Sequence, residues 1–295
     1  MNGLNLLQQY IKEQELTGVI LLSPINLHYF AGFTGTTGFA IITEDKAFMI
    51  TDFRYTEQAT KQCEGYTVIQ YETTVMDTLV DIFNEHHIHE GLFAIEGKQM
   101  PVDTYESLCD TLDENFDFTS VNFAKLRAVK REDELELLRI AANIGDESFA
   151  ALLPQLKVGM TENEVRIILE TEMLKRGSEE PSFATIIASG SRSSMPHGVA
   201  SDKVIEAGDF VTIDFGSVYK GYHSDMTRTI VMGPASDLQK KLYSIVLEAQ
   251  KRGVAAVRAG ITGKELDAVC RDYIKEHGYT KEFNHGTGHG VGLEI

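Results

Sequence analysis

Phe210–Met232, FVTIDFGSVYKGYHSDMTRTIVM, is the stretch on which the reading of this chain turns. Val211, Ile213 and Phe215 alternate with Thr212 and Asp214, and Asp225, Thr227 and Thr229 alternate on the way back, the period-two pattern of half-buried strands. A symmetric hairpin centred on Tyr219-Lys220 sets Asp214 directly across from Asp225. Side chains so opposed have Cβ atoms roughly 4.5–5.5 Å apart, and like charges there repel. A cation between them removes the conflict. A divalent metal is the simplest choice, because Asp oxygens bind Mn, Zn and related ions and paired metals stand only about 3.5–4 Å apart. A solvated strand face would explain either aspartate alone, whereas the opposed pair favours ligands.

Two histidine-bearing segments extend the pattern. Asn284–Gly292 reads NHGTGHGVG, too glycine-rich for a helix, so an extended course is expected that turns His285, Thr287 and His289 to one side. A lone histidine is usually an ordinary core or surface residue; two on one glycine-stripped face suit a metal ligand and a proton carrier. In Ile187–Gly198, IASGSRSSMPHG, His197 follows Pro196 at the end of a Gly/Ser-rich loop and is a candidate hydrogen-bond donor to a carbonyl or developing oxyanion. Gly32, Gly35 and Gly38 do not form a G-x-G-x-x-G fingerprint and read as a loop before a strand. Ser189, Ser191, Ser193 and Ser194 lack a G-x-S-x-G elbow and read as loop chemistry.

The surrounding chain supplies a frame. Gly18–Leu22, Gly38–Thr43, Ala47–Thr51, Tyr66–Tyr71 and Leu92–Ile95 read as strands, and Tyr55–Gln62, Val75–His87 and Val102–Leu112 as helices, an α/β alternation. A boundary near Leu126 gives domains 1–126 and 127–295. Within the second, Ile144, Glu147, Gly159, Thr161, Glu164 and Gly177 recur 101 positions later as Ile245, Glu248, Gly260, Thr262, Glu265 and Gly278, with Leu156/Val257 and Lys157/Arg258 as conservative matches. Each copy holds a T-x-x-E capping box and a glycine stop, which predicts a duplicated helix-pair-plus-strands unit about a pseudo-two-fold axis, with a site between the halves.

Composition narrows the function classes. A hydrophobic content of 43% over 295 residues can fill two cores. A net charge of −17 without a long Lys/Arg block argues against nucleic acid and anionic lipid as partners. Cys63, Cys109 and Cys270 have no C-x-x-C spacing, so neither a disulfide framework nor a thiolate zinc site is expected and a reducing cytoplasm fits. Leu4, Leu7 and Ile11 sit at helical spacing in a start that does not read as a signal peptide, and no apolar run reaches the roughly 18 residues of a membrane span.

The ordered motifs P-H-G, D-F-G, S-D-x-T-R and H-G-T-G-H-G-V-G-L resemble those of the Xaa-Pro aminopeptidases and proline dipeptidases (prolidases), the creatinase-like "pita-bread" metallopeptidases. The resemblance covers the whole chain. It implies an N-terminal creatinase-like α/β domain ahead of a pita-bread catalytic domain, α/β (α+β) in class, and hydrolysis of Xaa-Pro bonds in dipeptides or at peptide N-termini by a hydroxide held between two divalent ions, Mn first, with Co or Zn as alternatives. By the same resemblance Asp214 chelates one metal, Asp225 bridges both and His289 binds the other. His285 and His197 then contact the scissile amide or stabilise the tetrahedral intermediate. Proline-containing dipeptides or peptides become the expected partners, with a homodimer as the assembly. The family pattern continues into a further His and two Glu residues, so a chain ending at Ile295 is expected to be C-terminally truncated, to supply three of five ligands and to be weakly active. A metal-free creatinase-like amidinohydrolase and a non-catalytic peptide-binding member of the fold are the alternatives.

Overall fold

Leu4, Leu7 and Ile11 lie buried along one face of the first helix, α1 (Gly3–Glu13), as their spacing predicts. The computed structural model describes residues 2–295, which divide into two units at the Lys130–Arg131 junction. In the first unit α1 is followed by β1 (Gly18–Leu21), α2 (Pro24–Ala31), β2 (Phe39–Ile42), β3 (Ala47–Thr51), α3 (Thr56–Gln62), β4 (Thr67–Gln70), α4 (Val75–Glu85), β5 (Gly91–Ile95), α5 (Val102–Thr111) and β6 (Phe116–Ser120). The six strands make one sheet in the order β4-β3-β2-β1-β5-β6, with β2 antiparallel to its neighbours β1 and β3 and the other pairings parallel. The central runs GVIL, FAII and AFMIT are buried throughout, which is why they read as continuous apolar strands. β6 and α2 escape a periodicity reading. β6 is half exposed and interrupted by Asp117, and α2 is buried almost all round, so it shows no amphipathic stripe.

The second unit runs α6 (Glu132–Leu152), α7 (Glu162–Lys175), β7 (Ile186–Ser189), β8 (Phe210–Phe215), β9 (Val218–Tyr219), β10 (Tyr222–His223), β11 (Met226–Val231), α8 (Asp237–Ala256) and α9 (Gly263–Glu276). The capping boxes of the repeat both form. Thr161 Oγ1 accepts the Glu164 N–H at 3.1 Å and Thr262 Oγ1 accepts that of Glu265 at 3.2 Å, with each glutamate accepting the threonine N–H in return. Both helices run 14 residues and stop at a left-handed glycine, Gly177 at φ 96° and Gly278 at φ 91°. α6 and α7 pack on the antiparallel sheet β11-β8-β7 through Ile144, Leu152, Val165, Leu169, Ile187, Val211, Ile213 and Phe215. α8 and α9 share a smaller core of Ile245, Ala249, Cys270 and Ile274, and among the described residues no strand follows α9.

The structure departs from the sequence expectation at the hairpin and at the glycine-rich segment. The hairpin is centred between Lys220 and Gly221, one residue beyond the expected Tyr219-Lys220 centre, so Asp214 faces Thr227 and Thr212 faces Thr229. A two-residue hairpin loop of this kind needs positive φ at both central positions, and Lys220 (48°) followed by Gly221 (77°) meets that need with glycine where it is least strained. Continuing the register sets Asp225 opposite Gly216, so the two aspartates are diagonal neighbours on one face rather than directly opposed. Asn284–Gly292 is likewise no strand: the chain bends at His285 and Thr287, and the predicted one-sided alternation of His285, Thr287 and His289 is broken.

Candidate active site

β8 presents Thr212 and Asp214 on the face opposite its buried Val211, Ile213 and Phe215, and β11 brings Thr227 over Asp214. Thr227 Oγ1 donates to Asp214 Oδ1 at 2.7 Å. Burial raises the Asp214 carboxyl above the usual carboxylate range; the Thr227 hydroxyl opposes that shift, the charge of Asp225 adds to it, and His289 and His197 offset part of it. Across the diagonal, Asp225 Oδ2 lies 3.3 Å from His289 Nε2. The segment carrying His289 is joined to the hairpin by the His223 N–H, which donates to the Gly292 carbonyl at 2.8 Å.

His197 arrives on a loop held from below by Glu162, the first residue of α7. This carboxylate is fully buried and accepts the N–H and hydroxyl of Ser189 (2.8 and 2.9 Å), the N–H and hydroxyl of Ser201 (3.1 and 2.6 Å) and Arg192 Nε at 3.1 Å. Burial pushes its pKa up, but the Ser201 and Ser189 hydrogen bonds and the Arg192 charge outweigh burial and hold it below the ordinary value. Glu162 thus fixes both ends of the 189–201 loop, from which Ser193 to His197 face a cavity.

That cavity, about 640 Å³, brings together all five residues singled out from sequence: His197, Asp214, Asp225, His285 and His289. Phe183, Ile186, Met195 and Pro196 give it an apolar wall, and its size suits a small organic ligand. A larger hollow of about 950 Å³ over α8 and α9 is lined mainly by apolar side chains and includes only His289 of the five. Thr287 lines that second hollow and not the first, consistent with the bends at His285 and Thr287, while His289 borders both. The sequence reading passed over Thr227, Glu162 and the α9 side chains Asp267 and Arg271. The D-x-T spacing was the available signal for Thr227; for the other three, which act on chain 12 to 39 residues away, no local pattern was available.

The donor chemistry fits a divalent metal. Two carboxylates and an imidazole face one cavity, one carboxylate is raised by burial and by its neighbour's charge, and a cation would relieve both effects. Among the described residues no three His, Cys, Asp or Glu side chains converge closely enough to enclose an ion, so what stands is the Asp225–His289 pair with Asp214 beside it.

Known proteins resemble this chain along nearly its whole length. Residues 136–295 match metallopeptidase family M24 and residues 4–129 match the creatinase/prolidase N-terminal domain. The chain is 37% identical to a Xaa-Pro dipeptidase of Pyrococcus furiosus, over 98% of this chain and 81% of that one. Its structure superposes on a Xaa-Pro dipeptidase from Bacillus anthracis with a TM-score of 0.94 at 45% identity, covering 99% of this chain and 82% of that chain. An X-Pro aminopeptidase from Thermotoga maritima gives a TM-score of 0.90 at 37% identity, covering 95% and 81%. The fold is therefore the expected pairing of a creatinase N-terminal domain with a pita-bread domain, and nothing in these matches supports the expectation of a weakly active chain. No helix among the described residues is long and apolar enough to cross a membrane.

Proposed function

We propose, for a chain that belongs to metallopeptidase family M24, that the 640 Å³ cavity hydrolyses the peptide bond preceding proline in dipeptides, with two divalent ions, Mn foremost, held by Asp214, Asp225 and His289. The observation that carries this reading is the convergence of those three donors with His197 and His285 on one cavity that also has an apolar wall. When bound, such ions polarise the scissile carbonyl and acidify a water molecule. The protein's own groups do the rest. Phe183, Ile186, Met195 and Pro196 offer an apolar surface to the pyrrolidine ring and exclude water from it. His197 donates a hydrogen bond to the carbonyl oxygen as negative charge develops there, and His285 carries a proton toward the departing imino nitrogen. Thr227 donates to one oxygen of Asp214 and so fixes the carboxylate, whose other oxygen would be available to an ion.

The preference for dipeptides over longer Xaa-Pro-Yaa peptides, and a homodimeric assembly, belong to the same proposal and rest on the family resemblance. The test is turnover of an Xaa-Pro dipeptide by the purified chain with and without Mn. Metal-dependent hydrolysis that is lost in Asp225→Ala, faster on Xaa-Pro than on Xaa-Pro-Yaa, is the expected result. Turnover that survives exhaustive chelation would sink the metal reading in favour of an amidinohydrolase-like site. Dipeptide binding without turnover in the metal-loaded chain would leave a peptide-binding module.

A further inference from the structure

Residues 285–292 contain glycine at 286, 288, 290 and 292, so this segment has little of its own with which to fix a conformation. Its order comes from α9. Asp267 Oδ1 accepts the Thr287 N–H at 2.9 Å and the Thr287 hydroxyl at 2.8 Å. Arg271 donates from Nη1 to the Phe283 carbonyl at 2.6 Å and from Nη2 to the His285 carbonyl at 2.9 Å, and its guanidinium lies 4.6 Å from the centroid of the Phe283 ring. The two side chains are joined to each other, Arg271 Nε to Asp267 Oδ2 at 2.5 Å.

We propose that Asp267 and Arg271 are positioning residues that hold the glycine-rich segment so that His285 and His289 enter the cavity and His289 stands against Asp225. The proposal rests on the reading of that cavity as a metallopeptidase site. Phe283, His285 and Thr287 are each held through their backbone by Asp267 or Arg271, while the imidazoles of His285 and His289 line the cavity with Asp214 and Asp225. A planar guanidinium suits two carbonyls two residues apart, which a single ammonium would not span in the same geometry.

The internal repeat argues against a role confined to the helix. The positions 101 residues earlier are Arg166 and Glu170, the same pair with its charges exchanged. There Arg166 Nη1 meets Glu170 Oε2 at 2.7 Å and its Nε reaches Asn163 Oδ1 at 3.4 Å, both on its own helix. Either polarity therefore supports an i,i+4 pair on this helix. Only the Asp267-before-Arg271 order sets the acceptor beside the Thr287 N–H and the fork beside the carbonyls of Phe283 and His285. Neither side chain fills the core, since Asp267 is 26% and Arg271 37% exposed, so altering them leaves no large cavity.

The test uses Co²⁺ alone as the probe on the full chain, followed by its visible absorption, with Asp267→Asn and Arg271→Lys as variants and Thr262→Ala as a control that weakens the same helix without touching the segment. The expected result is a loss of Co²⁺ affinity of about 10–100-fold in both variants with altered absorption bands, the size seen when groups behind a ligand are removed, and neither change in Thr262→Ala. Wild-type affinity and bands in the two variants would overturn the proposal. If Asp267→Asn does not fold, Thr287→Val removes one of its bonds alone and is read in the same way. If the unmodified chain binds no Co²⁺, the metal reading itself has failed and amide exchange decides: lost protection at Thr287 in Asp267→Asn supports the tether, and unchanged protection ends it.

Discussion

α7 and α9 share a capping box, a 14-residue length and a left-handed glycine stop, yet α7 buries Val165, Leu169 and Met173 against a three-stranded sheet while α9 buries only Cys270 and Ile274. Val254 and Val257, at the end of the preceding helix, remain 64% and 62% exposed. Caps and stops are satisfied by atoms within a few residues, so they form alike in both copies whatever lies across from the helix. Burial is decided by what packs opposite. The copies also hold their loops by different means. Position 162 is a buried glutamate that ties down the His197 loop, whereas its counterpart 263 is glycine and the work passes to Asp267 and Arg271 on the next turns.

The largest test of this contrast is a matched pair of core truncations. Leu169→Ala empties a site in a close-packed core and is expected to cost about 2–5 kcal/mol in denaturant unfolding. Cys270→Ala, at the equivalent position, removes one small atom and should cost roughly 1 kcal/mol. Equal losses would mean that the second copy is as tightly packed as the first. A symmetrical pair follows: Thr161→Ala and Thr262→Ala should each cost about 1 kcal/mol, since the same hydroxyl acceptor for the glutamate N–H vanishes in each. A clear difference would show that cap strength depends on the packing around it.

The smallest expected effect belongs to the site on the first copy's sheet. The folded chain raises the Asp214 carboxyl, so the unfolded state gives up its proton first, and without metal its contribution disfavours folding increasingly as pH climbs from about 4 through the raised value. Asp214→Asn should therefore raise the melting temperature of the metal-free chain slightly at pH 7, leave it unchanged at pH 3, and abolish stabilisation by added Mn. The opposite sign at pH 7 would mean that His289 and His197 outweigh burial. In the second copy Asp267 behaves in the reverse sense: Arg271, then the Thr287 hydroxyl, hold its pKa at about 2, so its tether is present above pH 4 and lost as pH falls toward 2.

The legible parts of the molecule are those written in short-range patterns. Alternation along 211–215 placed Asp214 on the polar face of its strand, and T-x-x-E found both helix starts. The order of the P-H-G, D-F-G, S-D-x-T-R and H-G-T-G-H motifs brought the family into view, and the five candidate residues do meet in one cavity. β6 and α2 were missed because half-exposure blurs one pattern and all-round burial erases the other.

What sequence alone determined, then, was where the helices start and stop and which face of a strand the candidate residues occupy, because side-chain alternation and capping depend on neighbours along the chain. Tertiary structure decided how they meet. The Lys220-Gly221 turn moved the hairpin register by one residue and turned an opposed aspartate pair into a diagonal one, since turn geometry and not symmetry of the motif sets pairing. Asp267 and Arg271 hold a bent segment that alternation reads as straight, in which Thr287 faces α9 and away from the cavity that His285 and His289 line. The hydrogen bonds that do this join residues 12 to 20 positions apart, a distance at which no local periodicity carries information.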